Sequence, residues 1–323
     1  MPSFLFRNLA CCRPAIRMAL LSITWICSSA LLEAQEATAE NPAKACSPEH
    51  KTDEARVGRY VFRTYLSDDG ACLKVIRSGK LILHSSCDSH MPYTLGQHEV
   101  DQVDKIPAIA NGTDLTGSGH PEMIISQYSG GLHCCTTRDI YQLEPEFKKV
   151  ATIEDEDNED GHFEDLDHNG RYYSLTVDPT FIYWNASYVE FAPTPVILQF
   201  VNDSKSGAFH LAFNKMHKPD PTPEEWKEAT KEAREAFGAG NPSSGGIGPS
   251  LWANLLDLIY TGHSDLALRL FDETWPSERP GKDKFLADFC SQLKTSHYWP
   301  DLEPTVQNAP PVCANAKPDL TGK

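Results

Sequence analysis

Two stretches of this chain, 51 positions apart, repeat one short pattern. Asp114-Leu-Thr-Gly-Ser-Gly-His-Pro-Glu-Met-Ile-Ile-Ser126 aligns with Asp165-Leu-Asp-His-Asn-Gly-Arg-Tyr-Tyr-Ser-Leu-Thr-Val177. Each opens on Asp-Leu, carries oxygen-bearing side chains at its first, third and fifth positions, places Gly at the sixth and then runs into a β-branched, apolar segment. Such a stretch is predicted to be a tight loop that delivers the chain into a strand, because Gly tolerates the left-handed backbone that a sharp turn needs. The repeat therefore confines this part of the chain to β architecture with oxygen-lined loops at the strand entrances.

Those oxygens have the spacing of calcium ligands. Calcium takes about six to eight oxygens at about 2.3–2.6 Å, which alternate side chains of one loop and a backbone carbonyl can supply. In the first loop the ligands are assigned to Asp114, Thr116, Ser118, the carbonyl of His120 and the late carboxylate Glu122. The second offers Asp165, Asp167, Asn169 and the carbonyl of Arg171, but its ninth position is Tyr173, so the closing acid is missing. Neither loop is an EF-hand: no helical pattern flanks them, and the acid of the first lies at position nine rather than twelve. The alternative is a pair of Asx-rich turns without an ion, since Asp, Asn and Gly are common turn formers. With two carboxylates per loop, the expected affinity is that of extracellular modules, with Kd about 10⁻⁴–10⁻³ M.

Strand signals surround the loops. Tyr60–Leu66, Leu73–Ile76, Leu81–Leu83, Glu122–Ser126, Asp139–Leu143, Lys149–Ile153, Tyr172–Val177 and Val196–Val201 are short, rich in β-branched and aromatic residues, and separated by Gly, Asp, Asn and Pro. Without a helical period between them, they predict an antiparallel β domain over 58–216. Phe181, Tyr183 and Trp184 read as an aromatic strand used for packing, with a sugar platform as the alternative. The C-terminal third then changes character. Thr222-Pro-Glu-Glu225 is a capping box with Pro at the first helical position, and a Gly/Pro/Ser-rich linker closes the 217–248 segment. Apolar faces at Leu251–Ile259, Leu266–Phe271 and Phe285–Leu293 predict a helical module over 249–299, before a tail at 300–323.

The loop residues, together with Gly130-Gly-Leu-His-Cys-Cys-Thr-Thr137 and Phe163-Glu-Asp-Leu-Asp-His-Asn-Gly170, resemble FG-GAP and VCBS-type repeats of the integrin α N-terminal kind, and in particular a group of exported bacterial proteins. The resemblance covers about residues 58 to 215. It implies calcium-stabilised β structure leading into propeller blades, and it implies no activity. Two recognisable loops are too few for a closed ring, which needs at least four blades. The expected fold class is thus α+β: an incomplete, propeller-like antiparallel β domain followed by a small α-helical module.

The N-terminus places the protein. Arg7, Arg13 and Arg17 precede an apolar run from Met18 to Leu32, followed by small residues at Ala34, Ala37 and Ala39. This is the order of a secretory signal peptide over 1–34, with a linker over 35–57. The run is too short for a spanning helix, and the remainder of the chain has no membrane span. Export to a periplasmic or secreted location makes disulfides the default for Cys46, Cys72, Cys87, Cys134, Cys135, Cys290 and Cys313. Cys72 and Cys87 flank a hairpin turning at Ser78-Gly79 and are the favoured pair, although their register makes them diagonal, which a disulfide bridges only with the help of a bulge. Cys290 with Cys313 would tie down the tail. His133-Cys134-Cys135 reads as disulfide cysteines, with a zinc or copper site completed by His162 or His168 as the alternative.

The formal net charge is −16, which excludes an ordinary nucleic-acid binder because phosphates demand a basic face. Nine of the fourteen positions from Glu154 to Asp167 are acidic; the run Glu154–Asp160 reads as a solvated loop that raises the attraction for a cation beside the second loop. No Ser/His/Asp, nucleotide or metalloprotease signature is present. The residues thus favour an exported calcium-binding interaction module, with a protein or glycan ligand, over the alternative of a secreted metal-dependent hydrolase.

Overall fold

The computed structural model describes residues 46–87, 89–100, 106–129, 136–156, 161–190, 193–202, 207–240, 245–306, 313 and 316–317. The segment 1–34 read as a signal peptide, the start of the segment read as linker, the His133-Cys134-Cys135 triplet and positions 157–160 of the acidic run lie outside the described residues. Among the described residues twelve strands and six helices make an α+β fold: β1 (Lys51–Val57), β2 (Tyr60–Ser67), β3 (Gly70–Arg77), β4 (Lys80–Cys87), β5 (Thr94–Leu95), β6 (Glu122–Tyr128), β7 (Thr136–Gln142), β8 (Lys148–Glu156), β9 (His162–Glu164), β10 (Tyr173–Asp178), β11 (Thr194–Asn202), β12 (Gly207–Leu211), then α1 (Phe213–Met216), α2 (Pro223–Glu235), α3 (Ser250–Tyr260), α4 (Ser264–Thr274), α5 (Lys282–Leu293) and α6 (Trp299–Leu302). The strands form three four-stranded antiparallel sheets, in the orders β1-β2-β3-β4, β5-β6-β7-β8 and β12-β11-β10-β9, with no closed barrel among the described residues. No described helix is long and apolar enough to cross a membrane.

The chain divides into two compact units, Met1–Gly96 with Ile124–Cys135, and Gln97–Met123 with Thr136–Lys323. In the first, β1 to β4 form a meander joined by tight turns, with Val57 opposite Tyr60, Ser67 opposite Gly70 and Arg77 opposite Lys80. Strand β1 occupies part of the segment read as linker; its Lys-Thr-Asp-Glu-Ala-Arg-Val is a polar edge strand and carries no apolar alternation. Tyr60, Phe62 and Thr64 of β2 and Ala71, Leu73 and Val75 of β3 alternate into one buried face. On the opposite face Tyr65, Cys72 and Cys46 form a small second cluster.

The favoured Cys72–Cys87 pair is not formed; Cys72 is bonded to Cys46. The reason is register. A bulge between Val75 and Ile76 shifts the β3–β4 pairing by one residue, so that Cys72 faces Ser86 and Ala71 faces Cys87. Successive residues of a strand point to opposite faces, so Cys87 lies on the face away from Cys72, where its sulfur meets Gln127 Nε2 at 2.7 Å. The Cys290–Cys313 bond is formed as expected.

In the second unit the β9–β12 meander buries Phe163, Tyr173, Val196 and Leu198. The helices α3, α4 and α5 bury Leu251, Trp252, Leu255, Leu256, Ile259, Leu270, Phe271, Phe285, Phe289 and Leu293 in a second apolar core. The capping box of α2 is complete: Glu225 N donates to Thr222 Oγ1 at 3.2 Å and Thr222 N donates to Glu225 Oε2 at 2.7 Å. The aromatic segment is a turn rather than a strand. Phe181 and Trp184 pack as anticipated, with ring centroids 5.2 Å from Phe289 and 5.1 Å from Trp252 respectively. Tyr183 instead stands 55% exposed. Strand β10 is pinned to the helices by Asp178, whose Oδ2 accepts from the hydroxyls of Tyr260 and, at 2.6 Å, Ser296.

Candidate functional site

The repeat seen in the sequence is also a repeat of hydrogen bonds. Asp114 accepts from the backbone N–H groups four and five positions on, Ser118 at 2.9 Å and Gly119 at 2.7 Å. Asp165 does the same with Asn169 at 3.1 Å and Gly170 at 2.7 Å. The glycines close the turns at φ +77° and +84°, the left-handed region that an L side chain resists. Both aspartates thus use their carboxylates to build the loop, and these bonds hold the Asp165 carboxyl below the usual carboxylate range, the N–H of Gly170 contributing most.

The loops diverge at the ninth position. Glu122, the first residue of β6, turns its carboxylate back into its own loop. Oε2 accepts from Leu115 N at 2.9 Å and Thr116 N at 3.0 Å; Oε1 accepts from Thr116 Oγ1 at 2.5 Å and Ser118 Oγ at 3.3 Å. Ser118 Oγ also lies 3.4 Å from Asp114 Oδ1. Side-chain oxygens of four of the assigned ligands, Asp114, Thr116, Ser118 and Glu122, therefore gather in one place, while His120 contributes an N–H to Ser118 Oγ at 3.3 Å. Glu122 is only 1% exposed, and among the described residues no basic side chain pairs with it or with Asp114. Burial raises the Glu122 carboxyl above its ordinary range; the hydrogen bonds from Thr116 and Leu115 oppose this, and the nearby Asp114 charge adds to it.

In the second loop a lysine stands where the first, among the described residues, has no counter-charge. Lys215 Nζ donates to Asp167 Oδ1, and Tyr173, the ninth-position residue, donates its hydroxyl to Asp167 Oδ2 at 3.0 Å. Lys215 also sits over the Tyr173 ring, 5.3 Å from its centroid. The lysine hydrogen bond, followed by that of Tyr173, keeps the Asp167 carboxyl below its ordinary range. Asn169 turns its Oδ1 to the N–H of Arg171 at 2.8 Å rather than toward Asp167. Lys215 lies 48 positions away in α1, outside any loop pattern, and no local signal marks it.

The acidic run is only partly a solvated loop. Glu154 to Glu156 belong to β8, and Asp155 is fully buried in a two-pronged pair with Arg138 of β7, Nε to Oδ2 at 2.5 Å and Nη2 to Oδ1 at 2.8 Å. Thr176 Oγ1 donates to the same carboxylate at 2.6 Å, Arg138 Nη2 also reaches Ser174 Oγ at 2.8 Å, and the guanidinium covers the Phe163 ring at 5.0 Å. This network fixes β10 directly after the second loop.

A cavity of about 610 Å³ opens among the helices, lined by Ile259, Leu268, Phe289, Leu293 and Trp299 with Asp265, Lys294 and Glu303 among its polar groups. Its size falls within the range of small-molecule sites, about 300–1,000 Å³. No protein-family model matches the chain, and neither the curated proteins nor the solved structures include a significant match to it.

Proposed function

We propose that the protein is an exported, calcium-binding β-repeat protein that acts as a binding or interaction module. The observation that carries this is the oxygen cluster of the first loop: two carboxylates and two hydroxyls converge, one carboxylate is almost wholly buried, and no basic described residue balances them. Like charges brought together away from water raise the energy of the ionised pair unless a cation joins them. A divalent ion with a preference for oxygen supplies that charge, with Asp114, Thr116, Ser118 and Glu122 as side-chain ligands and the His120 carbonyl and water to complete the shell. In the second loop an ion at Asp165, Asp167, Asn169 and the Arg171 carbonyl competes with the Lys215 ammonium, so the first loop is the stronger site.

The three four-stranded meanders have the strand count of propeller blades, which supports an incomplete propeller-like assembly of the FG-GAP and VCBS kind. The Cys46–Cys72 and Cys290–Cys313 bonds fit an oxidising compartment outside the cytoplasm. A protein or glycan is the ligand class for such a module.

Thermal melts of the mature protein with calcium, with a chelator and with Asp114→Ala test the proposal. Calcium at tenfold its Kd adds about 1.4 kcal/mol, which raises the melting temperature of the wild type and leaves the variant unmoved. A wild-type melting temperature indifferent to calcium and chelator overturns it. Stoichiometric zinc in the purified, disulfide-bonded protein, lost on His133→Ala, would favour the hydrolase instead.

A further inference from the structure

We propose that Cys46, Cys72 and His84 form a thiolate–imidazole metal site that the Cys46–Cys72 disulfide masks, so that the first unit takes a thiophilic ion such as Zn²⁺ only when that bond is open. One ligand atom from each of the three residues lies within 4.8 Å of the other two, and His84 Nε2 is 3.0 Å from Cys46 Sγ. The two sulfurs are buried, Cys46 at 3% and Cys72 at 0% exposure.

The placement follows from the sheet. Cys72 of β3 faces Ser86 of β4, and His84, two residues before Ser86, lies on the same face as Cys72, one diagonal step away. The bulge at Val75/Ile76 that removes Cys87 from Cys72 is also what brings His84 onto that face. Two ligands are thus held by paired strands, the rigid support that a metal site requires. The third, Cys46, lies outside the sheet in a turn and is tethered by Lys74 Nζ, which donates to its carbonyl at 2.8 Å. Around a tetrahedral zinc with Zn–S near 2.3 Å the sulfurs stand about 3.8 Å apart, so the bonded pair must separate, and Cys46 is the one free of strand pairing. Two thiolates and an imidazole suit Zn²⁺ or Cu⁺ rather than calcium, and they leave a fourth position for water or an outside ligand.

The two states are linked by a balanced exchange. A dithiol reductant gives two electrons and two protons to the Cys46–Cys72 bond and becomes a disulfide itself. The metal ion then displaces the two thiol protons as it binds.

The test uses the full mature chain. Protein reduced with a dithiol is loaded with zinc, washed with a weak chelator and assayed for bound metal, alongside oxidised protein and the variants His84→Ala, Cys46→Ser, Cys290→Ser and Asp114→Ala. The oxidised protein should retain none at this site. Reduced wild type, Cys290→Ser and Asp114→Ala should retain one zinc, and His84→Ala and Cys46→Ser should lose at least tenfold in affinity. Because Asp114→Ala abolishes the calcium effect and not this one, the two proposals fail separately. Cobalt in place of zinc should give a thiolate charge-transfer band that weakens in Cys46→Ser. If reduction loosens the fold, zinc must raise the melting temperature of reduced wild type and not of reduced His84→Ala. Absence of zinc retention by the reduced chain, or retention untouched by both His84→Ala and Cys46→Ser, overturns the proposal.

Discussion

Glu122 accepts both the N–H and the hydroxyl of Thr116, six residues earlier in the chain, at 3.0 and 2.5 Å. The carboxylate that opens β6 thereby becomes the floor of the loop that precedes it, and its charge is the one that the proposed cation would balance.

The first prediction concerns pH. Burial lifts the Glu122 carboxyl above its ordinary value of 4.5. The ion-free folded chain thus holds this proton more tightly than the unfolded chain does. The contribution of Glu122 to stability is complete below the unfolded value and is lost as pH rises through the folded one. In the proposed site calcium takes the ionised form, so its gain in melting temperature should grow as pH rises across the same window. Melts at a series of pH values with and without calcium measure this; in Glu122→Gln the pH dependence of the gain should disappear.

The second prediction separates the two loops. Lys215→Met removes the ammonium from Asp167 and leaves the Asp165 turn intact. Calcium affinity at the second loop should rise, and the stoichiometry seen by equilibrium dialysis should move toward two ions per chain. An unchanged stoichiometry would mean that Lys215 is not what limits this loop.

The buried Arg138–Asp155 pair yields the third. Removing one partner leaves the other charge buried and uncompensated, which costs about 3–5 kcal/mol. Asp155→Asn and Arg138→Met should each lower the unfolding free energy by that order, read as a lower denaturant midpoint. The double replacement Arg138→Met with Asp155→Leu should cost less than the two singles together, because no orphaned charge remains. Chemical unfolding of the three variants checks this.

Tyr260 supplies the fourth. Its hydroxyl and that of Ser296 both serve Asp178 Oδ2. Tyr260→Phe keeps the ring and deletes one donor to a buried carboxylate, at a cost of about 1–3 kcal/mol. Burial, and after it the Asp178 charge, holds the phenol well above its ordinary value of 10. Its contribution is therefore complete below that value and lost only as pH rises through the folded one. The variant should show a lower denaturant midpoint at neutral pH and a weaker alkaline loss of stability.

What the sequence disclosed follows the range of each interaction. The Asp114 and Asp165 turns, the Thr222–Glu225 capping box and the apolar faces of α3 to α5 are local patterns, and they appear where the spacing placed them. Features that depend on distant partners did not show. Strand β1 has no apolar alternation, because it is a polar edge strand held by pairing to β2. The Cys46–Cys72 bond was hidden by a single bulge at Val75/Ile76 that reverses which face Cys87 occupies. Asp155 reads as one more acid in a solvated run because its partner Arg138 lies seventeen positions earlier, on another strand. Lys215 illustrates the same limit within the candidate site: an ammonium 48 residues from its carboxylate leaves no trace in loop spacing.

The most direct test of the proposed calcium site is a calorimetric titration of the disulfide-bonded protein with calcium at neutral pH, beside Glu122→Gln. The wild type should bind with Kd about 10⁻⁴–10⁻³ M and the variant at least tenfold more weakly. Equal binding by both proteins, or no binding by the wild type, would contradict it.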